Sequence, residues 1–365
     1  MGPTDSENGH IDYTDGRIFE GVVVNGKANG EGRMLLPNGE VTIGRFCDDV
    51  CVEPREIRYH TGGRYVGGFK DGNYHGQGKL TTSKNETFEG VWESNDEFDG
   101  VAHYRNGNII TAHFVKLLPE GNGKSELPDG RVYEGPFVGG RANGRGKFTF
   151  KNGEVLEGVF ANDFLVPTSF CTVRWPDGRI YDGQLGKDYL EGEGTMVWKN
   201  GCKLTGIVSP RINLTKKTPI PAISVGDINE FSFATGSKLE CPDGTMFEGE
   251  YYSCYPVKGK ITMKNCIFEG VISIEKDFFD GKLCWSNGDV YVGKIVQGQY
   301  EGAFNYEFGS DPKFAGCSIN GIFNSSQIKK NTAKCYNSKG KEKLFFPKNP
   351  PIIAPPSELS WFSQL

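Results

Sequence analysis

Large apolar residues alternate with polar residues in many short segments of the chain. In the segment from Tyr65, for example, one residue separates Tyr65 from Gly67 and Gly67 from Phe69. Side chains two residues apart in a β-strand point to the same face of its sheet, so these segments predict strands with one apolar face. Like Tyr65 and Phe69, the large residues of several other segments lie four positions apart, namely Phe88/Trp92, Tyr133/Phe137, Leu156/Phe160, Tyr181/Leu185, Phe247/Tyr251 and Tyr291/Ile295.

A second marker lies three residues before most of these segments. Glycine or asparagine occupies it, and both residue types tolerate a positive φ. Contexts such as PNG, KNG and PDG are typical of tight turns between strands. The marker positions are Gly16, Gly39, Gly62, Asn85, Asn108, Gly130, Gly153, Gly178, Gly201, Gly244, Asn265 and Gly288. The pattern therefore predicts an all-β fold built from β-hairpins.

The hairpin pattern repeats with a nearly constant period. Copies start at residues 19, 42, 65, 88, 111, 133, 156, 181, 204, 224, 247, 268, 291 and 314, and the first four intervals are 23 residues each. The glycine two residues after the start is Gly21, Gly44, Gly67, Gly90, Gly135, Gly158, Gly183, Gly206, Gly226, Gly249, Gly270, Gly293 and Gly316, and His113 replaces it in one copy. A fixed period of this length predicts a repeat protein.

The repeat glycines have a structural interpretation. A glycine between two large side chains leaves a gap on the apolar face, and we expect an aromatic ring of the neighbouring hairpin to fill it. A G-x-G pair, such as Gly76 and Gly78, follows eleven residues after each typical start. No GxGxxG precedes a helical pattern, which disfavours nucleotide binding. The aromatic residues are accordingly expected to form a core and not a ligand site.

These residues resemble the membrane occupation and recognition nexus, or MORN, repeat. The segments Tyr65–Lys79 and Tyr133–Lys147 are close to the family's Y-x-G-x-F…G-x-x-x-G-x-G pattern, and the resemblance covers about residues 16–323. It implies an elongated, single-layer antiparallel sheet of stacked hairpins, here about 14 repeats of about 23 residues. It also implies nearest-neighbour contacts between repeats and a homo-oligomer, most simply a dimer.

Departures from the pattern suggest a division of the chain. The copy from Thr42 lacks the central glycines, and residues 209–223 contain Pro210, Pro219 and Pro221, which disfavour regular strand pairing. We expect a flexible N-terminus at 1–15, a first repeat block at 16–208, an interruption at 209–223 and a second block at 224–323. Residues 324–365 would then form a Lys-rich and Pro-rich tail or cap.

Composition and charge narrow the function. The formal net charge is -5, which argues against general nucleic-acid binding. No apolar run reaches 18 residues, so no membrane span is expected. The first residues show no apolar stretch typical of a secretory signal, so the ten cysteines are expected to be free thiols in a reducing, cytoplasmic compartment. The five histidines show no triad or metal-ligand spacing, so we expect no catalytic residue, no metal and no cofactor.

The tail supplies the candidate contact residues. Basic side chains are concentrated there, with only Glu342 against them up to Asn349, followed by a proline-rich end. These lysines could bind acidic tubulin tails or anionic lipid, or they could form a merely solvated segment. The proline-rich end could cap the last sheet edge or act as a docking peptide. The candidates are Lys329, Lys330, Lys334, Lys339, Lys341, Lys343, Trp361 and Phe362.

The resemblance favours a non-enzymatic scaffold with protein partners. Arrays of this size in the family occur in cytoskeletal, axonemal and basal-body assemblies, which makes a cytoskeletal site in a cilium, basal body or cell cortex the first hypothesis. The alternative is a peripheral membrane tether that binds anionic lipid through the Lys-rich tail. Enzyme activity is the third and least favoured, because the 42 residues after the array cannot hold a catalytic domain.

Overall fold

A computed structural model describes residues 7–166, 169–185, 190–210, 231–274, 276–329, 332–343, 352–357 and 359. The chain divides into two compact units. The first comprises Met1–Leu165 with Pro219–Pro221, and the second comprises Val166–Thr218 with Ala222–Leu365.

The first unit is an open antiparallel sheet in which strands adjacent in sequence pair with each other. Its strands are β1 Glu7–Asp12, β2 Ile18–Val24, β3 Lys27–Leu35, β4 Val41–Cys47, β5 Val50–Arg58, β6 Arg64–Lys70, β7 Asn73–Thr81, β8 Thr87–Trp92, β9 Glu97–His103, β10 Ile109–Val115, β11 Leu118–Glu126, β12 Val132–Val138, β13 Arg141–Ala142, β14 Gly144–Thr149, β15 Val155–Ala161 and β16 Phe164–Leu165.

The second unit follows the same plan of sequential antiparallel pairing. Its strands are β17 Phe170–Arg174, β18 Ile180–Leu185, β19 Leu190–Val197, β20 Lys203–Pro210, β21 Phe231–Phe233, β22 Lys238–Glu240, β23 Met246–Tyr252, β24 Tyr255–Thr262, β25 Cys266–Ser273, β26 Phe278–Trp285, β27 Val290–Val296, β28 Gln299–Glu307, β29 Ser318–Asn324, β30 Gln327–Ile328, β31 Lys334–Tyr336 and β32 Glu342–Lys343. The predicted all-β array of antiparallel hairpins is confirmed.

The repeat glycines lie under aromatic rings. In the β6–β7 hairpin, Gly67 faces Gly78 across the sheet, and a Cβ at Gly78 would lie 2.1 Å from the Tyr65 hydroxyl oxygen. The Tyr65 hydroxyl donates to the Gly68 carbonyl at 3.1 Å, which holds the ring down. The ring thus belongs to the same hairpin as the glycines, whereas the sequence suggested the neighbouring one. The neighbour supplies Trp92, which packs edge-on against Tyr65.

The first glycine of each central G-x-G pair has a different task. Gly76 has a φ of 68°, a conformation that disfavours other residue types. The register between β6 and β7 shifts between Gly67 and Phe69, close to this position. An extra residue of this kind is a β-bulge, which increases the local twist of the strand pair. The first glycine therefore shapes the backbone, and the second makes room for the ring.

Two kinds of turn connect the strands. Asn25 and Gly26, between β2 and β3, both have positive φ, as type I′ hairpin turns require. The other kind ends in the marker glycine found in the sequence. Gly16 has a φ of 88°, and its N–H donates to the Tyr13 carbonyl at 3.0 Å. Local turn chemistry therefore sets the strand register at both ends of a hairpin.

The type I′ turns are fastened to the preceding hairpin. Between β4 and β5, the Asp49 carboxylate accepts the Ala28 N–H at 2.8 Å and the Tyr13 hydroxyl at 2.5 Å. The Asp49 N–H in turn donates to the Ala28 carbonyl at 3.1 Å. We call this arrangement the turn clasp. Equivalent side-chain bonds join Asn95 to Tyr74, Asp163 to Ala142 and Ser326 to Tyr300.

Replacing Asp49 with alanine should lower the free energy of unfolding of the first unit by about 1–3 kcal/mol, because two hydrogen-bond donors lose their acceptor. Asp48→Ala is the matched control, since Asp48 also has a positive φ and its carboxylate forms an exposed 3.4 Å ion pair with Lys27. Hydrogen exchange of β3 and β4 measures the difference. Equal effects of the two substitutions would show that the clasp contributes nothing.

The Tyr13 hydrogen bond lowers the pKa of Asp49 from its ordinary value of 3.8, although burial opposes the shift. A lowered folded pKa means that the clasp contributes stability above about pH 4 and loses it as pH falls through the folded pKa. The Asp49→Ala variant should therefore show less acid destabilisation of β3 than the wild type.

The structure corrects two of the proposed repeat starts. The copy assigned to Thr111 starts at Ile110, because Ile110, Ala112 and Phe114 are buried and His113 lies on the polar face. Alanine is small enough to take the place of the glycine, and so the glycine search chose the wrong register. The copy assigned to 314 starts at Ile319. The copy assigned to 224 lies outside the described residues.

The segments at the two ends of the array also form strands. Within the predicted flexible N-terminus at 1–15, residues 7–12 form β1, which pairs with β2. Within the predicted tail at 324–365, β31 continues the sheet beyond β29. The predicted interruption at 209–223 lies mostly outside the described residues. Its flanking strands are clear, since β20 pairs with both β21 and β22.

One disulfide contradicts the prediction that all cysteines are free thiols. Cys202 precedes β20 and Cys241 follows β22, and the pairing of Lys203 with Glu240 sets the two cysteines opposite each other. Their Cα atoms are 4.0 Å apart, and their sulfur atoms are bonded. The sequence separation of 39 residues hid this proximity, because nothing periodic connects the two positions.

Candidate interaction surfaces

The face of the sheet opposite the aromatic rings is polar, and we call it the polar face. In the first unit, Lys79 on β7 lies 2.9 Å from Glu89 on β8, and both side chains are at least half exposed. The same exposed arrangement recurs along the unit, so acidic and basic side chains are interspersed on this face. The other ion pairs between strands are Arg33–Glu20, Arg55–Glu31, Arg45–Glu53 and Lys147–Glu134, and His113 and Asp99 form a hydrogen bond.

These ion pairs contribute little stability, because exposed pairs are usually worth well under about 1 kcal/mol. Their effect is geometric. Adjacent strands are about 4.8 Å apart, so a pair on neighbouring strands sets opposite charges about one strand spacing from each other. A partner with a complementary spacing would gain orientation and association rate from such a pattern.

Apolar side chains lie among these charges. Val66, Val91 and Val159 are 40%, 47% and 36% exposed on the polar face of the first unit. Each precedes or follows a repeat glycine by one residue, so strand alternation turns it away from the rings. Exposed valines beside charges are typical of the mixed surfaces at which proteins associate.

A shallow depression of about 490 Å³ lies on the polar face of β6, β7 and β8. Arg64 borders it and, together with Arg58, contacts the largely buried Glu56 carboxylate, at 2.8 and 2.5 Å. Burial of Glu56 acts to raise its pKa, but the hydrogen bonds from the two arginines outweigh burial and lower it. The depression is lined by Arg64, Val66, Gln77, Gly78, Lys79, Thr81 and Glu89.

The predicted tail lysines are only partly described. Lys334 lies on β31, 3.4 Å from Glu342, and the backbone of Lys343 lies on β32. Lys339 and Lys341 belong to a turn in which their N–H groups donate to the Asn337 side chain. Lys329 is exposed after β30. Lys330, Trp361 and Phe362 lie outside the described residues.

The repeat glycines lie away from the polar-face side chains, at the centres of the strands. Their backbones approach the facing strands so closely that an added Cβ would meet a backbone atom of the facing strand within 2.1–2.5 Å at six of the predicted positions. Those positions are Gly21, Gly44, Gly67, Gly90, Gly249 and Gly270. Gly135, Gly183 and Gly293 lie under Tyr133, Tyr181 and Tyr291, and Gly158 faces Gly146.

The valines of the polar face were missed by sequence reasoning. The alternation that placed Tyr65 and Phe69 on one face already placed Val66 on the other. Nothing local distinguished an exposed valine from a covered one. In the described part of the chain, no three His, Cys, Asp or Glu side chains are grouped to hold a metal ion. No helix there is long and apolar enough to cross a bilayer.

Sequentially paired hairpins, glycines under aromatic rings and an exposed polar face define a β-hairpin repeat protein. The MORN repeat family matches residues 19–41, 65–87, 133–155 and 181–203. The chain therefore carries MORN repeats at these four positions. The MORN repeat is a non-enzymatic repeat family, and its repeats suggest a role in protein interaction or membrane association.

Solved structures resemble the chain only weakly. The TCP10 domain of Danio rerio CPAP shares 15% identity at a TM-score of 0.35, covering 54% of this chain and 92% of that domain. The SAS-4 TCP domain of Drosophila melanogaster, solved with a proline-rich motif of Ana2, shares 12% identity at 0.29, covering 57% and 95%. Neither likeness carries a functional argument. No curated protein matches the chain significantly.

Proposed function

We propose that the protein is a non-enzymatic scaffold whose polar face binds protein partners. The observation that carries the proposal is the presence of exposed valines among exposed ion pairs on the polar face of the first unit. Such a surface costs little to desolvate at its apolar positions and gains specificity from its charges. A repeat array suits this role, because it offers many similar contact points to one extended partner.

The setting we propose is a cytoskeletal, axonemal or basal-body assembly in the cytoplasm. A periodic surface matches a periodic partner, and filaments are such partners. A homodimer would double the contact points and raise avidity without any new type of contact. The alternative is a peripheral membrane tether, favoured by the exposed Lys329, Lys339 and Lys341.

Co-sedimentation with purified axonemes and with anionic liposomes tests the proposal. The double variant Val66→Glu/Val91→Glu should weaken axoneme binding at least about fivefold, because it puts charge where apolar contact is expected. Both positions are exposed, so thermal stability should change little. Ile207→Glu, at a half-exposed position of the second unit, is the control.

Two results would contradict the proposal. One is undiminished axoneme binding by the double variant. The other is binding to liposomes alone, abolished by neutralising Lys329, Lys339 and Lys341, which would support the membrane tether instead.

A further inference from the structure

A proline-rich segment near the C-terminus lies against β28 of the second unit. The Tyr300 hydroxyl donates to the Ile353 carbonyl at 2.6 Å. The Ile353 N–H donates to the Tyr306 hydroxyl at 3.2 Å. Tyr300 and Tyr306 are six residues apart on one strand, yet both hydroxyls meet the main chain of a single residue. We call residues 352–357 the docked segment and the two tyrosines the tyrosine pair.

The hydroxyl of Tyr300 differs from those of the repeat-start tyrosines. Tyr133, Tyr181 and Tyr291 each donate to a carbonyl three residues later in their own strand, at 3.1, 3.1 and 2.7 Å. Tyr300 is 2% exposed, and its hydroxyl donates to an acceptor 53 residues away. A buried hydroxyl needs a hydrogen-bond partner, so this position favours a peptide carbonyl.

Tyr306, the second member of the tyrosine pair, is held in place by Asp289. Tyr306 is fully buried and donates to the Asp289 carboxylate at 2.5 Å, and Asp289 also accepts the Gly309 N–H at 2.7 Å. These bonds leave the Tyr306 oxygen oriented to accept from a peptide N–H. Burial raises the pKa of both tyrosines, so both hydroxyls stay protonated at physiological pH. The site is therefore preorganised as one donor and one acceptor.

The surroundings of the tyrosine pair are aromatic. The Tyr300 ring lies 4.2 Å from Tyr291 and 5.1 Å from Phe323, and Tyr306 lies 5.8 Å from Trp285. The docked segment belongs to the sequence PPIIAPPSEL. Proline-rich chains favour an extended conformation that loses little entropy on binding, and aromatic grooves with hydroxyl groups are their usual receptors.

We propose that the tyrosine pair is a binding site for proline-rich peptides, which the docked segment occupies in cis and a proline-rich segment of a partner protein occupies in trans. The proposal goes beyond the scaffold role of the polar face, because it assigns a ligand class to the apolar face. The hydrogen bonds go to main-chain atoms of Ile353, so other sequences with the same extended chain can make them.

A partner protein is favoured over a second copy of this chain. Only eight residues separate Lys343 from Ile352, so the cis segment acts at an effective concentration in the millimolar range. An identical segment on another copy competes at its much lower bulk concentration and gains no extra contact. A partner's segment with a better fit displaces the docked segment. Its apparent affinity is lower than its intrinsic affinity, because the docked segment occupies the site in most molecules.

A fluorescent peptide of residues 349–360, NPPIIAPPSELS, is the probe, and its fluorescence anisotropy is measured with the full chain. Ile353→Pro in the chain removes the N–H that bonds Tyr306, which weakens the cis segment and leaves the site intact. We expect Ile353→Pro to bind the probe at least about tenfold more tightly than the wild type. A probe with proline in place of the residue that corresponds to Ile353 should bind at least about tenfold more weakly.

Adding Tyr300→Phe to Ile353→Pro should remove most of the gain, because the carbonyl of the probe loses its donor. Tyr133→Phe in the same background is the matched control, since the Tyr133 hydroxyl bonds within its own strand and lies outside the site. It should leave probe binding unchanged. Hydrogen exchange on the wild type gives a second measurement that needs no variant, because excess probe should speed the exchange of residues 352–357.

Three outcomes would overturn the proposal. One is equal probe affinity of the wild type and Ile353→Pro together with unchanged exchange of residues 352–357. Another is loss of binding with Tyr133→Phe to the same extent as with Tyr300→Phe. The third is a concentration-dependent dimer that the probe dissolves, which would identify a second copy as the source of the ligand.

Discussion

Replacing Gly78 with alanine should destabilise the β6–β8 region by about 3 kcal/mol, because overpacking a filled site forces a large side chain to move. The new Cβ would lie 2.1 Å from the hydroxyl oxygen and 2.5 Å from the adjacent ring carbon of Tyr65. Tyr65 is fully buried between Tyr74 and Trp92, so the ring has no open space to enter. Hydrogen exchange of β6, β7 and β8 measures the loss.

Gly63→Ala is the matched control in the same hairpin. A Cβ at Gly63 would meet its nearest atom at 3.4 Å, an ordinary contact distance. We expect no loss, and a gain of up to about 1 kcal/mol from the reduced freedom of the unfolded chain. Substitution of Gly63, directly before β6, and of Gly78, within β7, should thus change the stability with opposite sign.

Tyr65→Ala should partly rescue Gly78→Ala, because it removes the ring that the new methyl group meets. Each single substitution destabilises by its own mechanism, and the double variant should be about 2 kcal/mol more stable than the sum of the two predicts. Strictly additive effects would show that the ring and the glycine do not depend on each other.

Reduction of the Cys202–Cys241 disulfide should lower the stability of the second unit by about 4 kcal/mol, the loop-entropy estimate for a closed loop of about 39 residues. The bridge fastens β20 to β22 across the longest insertion between two paired strands. For a unit of about 200 residues, the loss corresponds to a fall of roughly 10 °C in Tm. Scanning calorimetry with and without a phosphine reductant measures it.

The double variant Cys202→Ala/Cys241→Ala should be insensitive to the reductant and should unfold near the reduced wild type. Cys47→Ala, at an exposed cysteine of the first unit, should keep the full sensitivity. A wild type that melts at the same temperature in both conditions would show that the bridge does not form in solution.

The features that were predicted correctly depend on residues that lie close together in the sequence. Tyr65, Gly67 and Phe69 share a face because strand alternation is local, and the turn at Gly16 follows from the conformational freedom of a single residue. The shift from Thr111 to Ile110 was missed because Ala112 satisfies the same steric need as glycine. The search relied on a residue type, whereas the fold requires only a small side chain.

Contacts between residues far apart in the sequence could not be predicted from the repeat pattern. The bond between Tyr300 and Ile353 joins positions 53 residues apart, and no period connects them. Cys202 and Cys241 meet only because β20 and β22 pair across an insertion. The predicted tail contacts Lys330, Trp361 and Phe362 remain predictions. The cytoskeletal setting also remains one, because it depends on partners that a single chain does not reveal.

The turn clasp imposes an order on folding during synthesis. Ala28 belongs to one hairpin, but the carboxylate that accepts its N–H belongs to Asp49 in the next. At typical translation rates of about 5–20 residues per second, the acceptor leaves the ribosome roughly 1–4 seconds after the donor. Each hairpin that carries such a bond is therefore completed only when its successor emerges, and until then one of its backbone N–H groups lacks its side-chain acceptor.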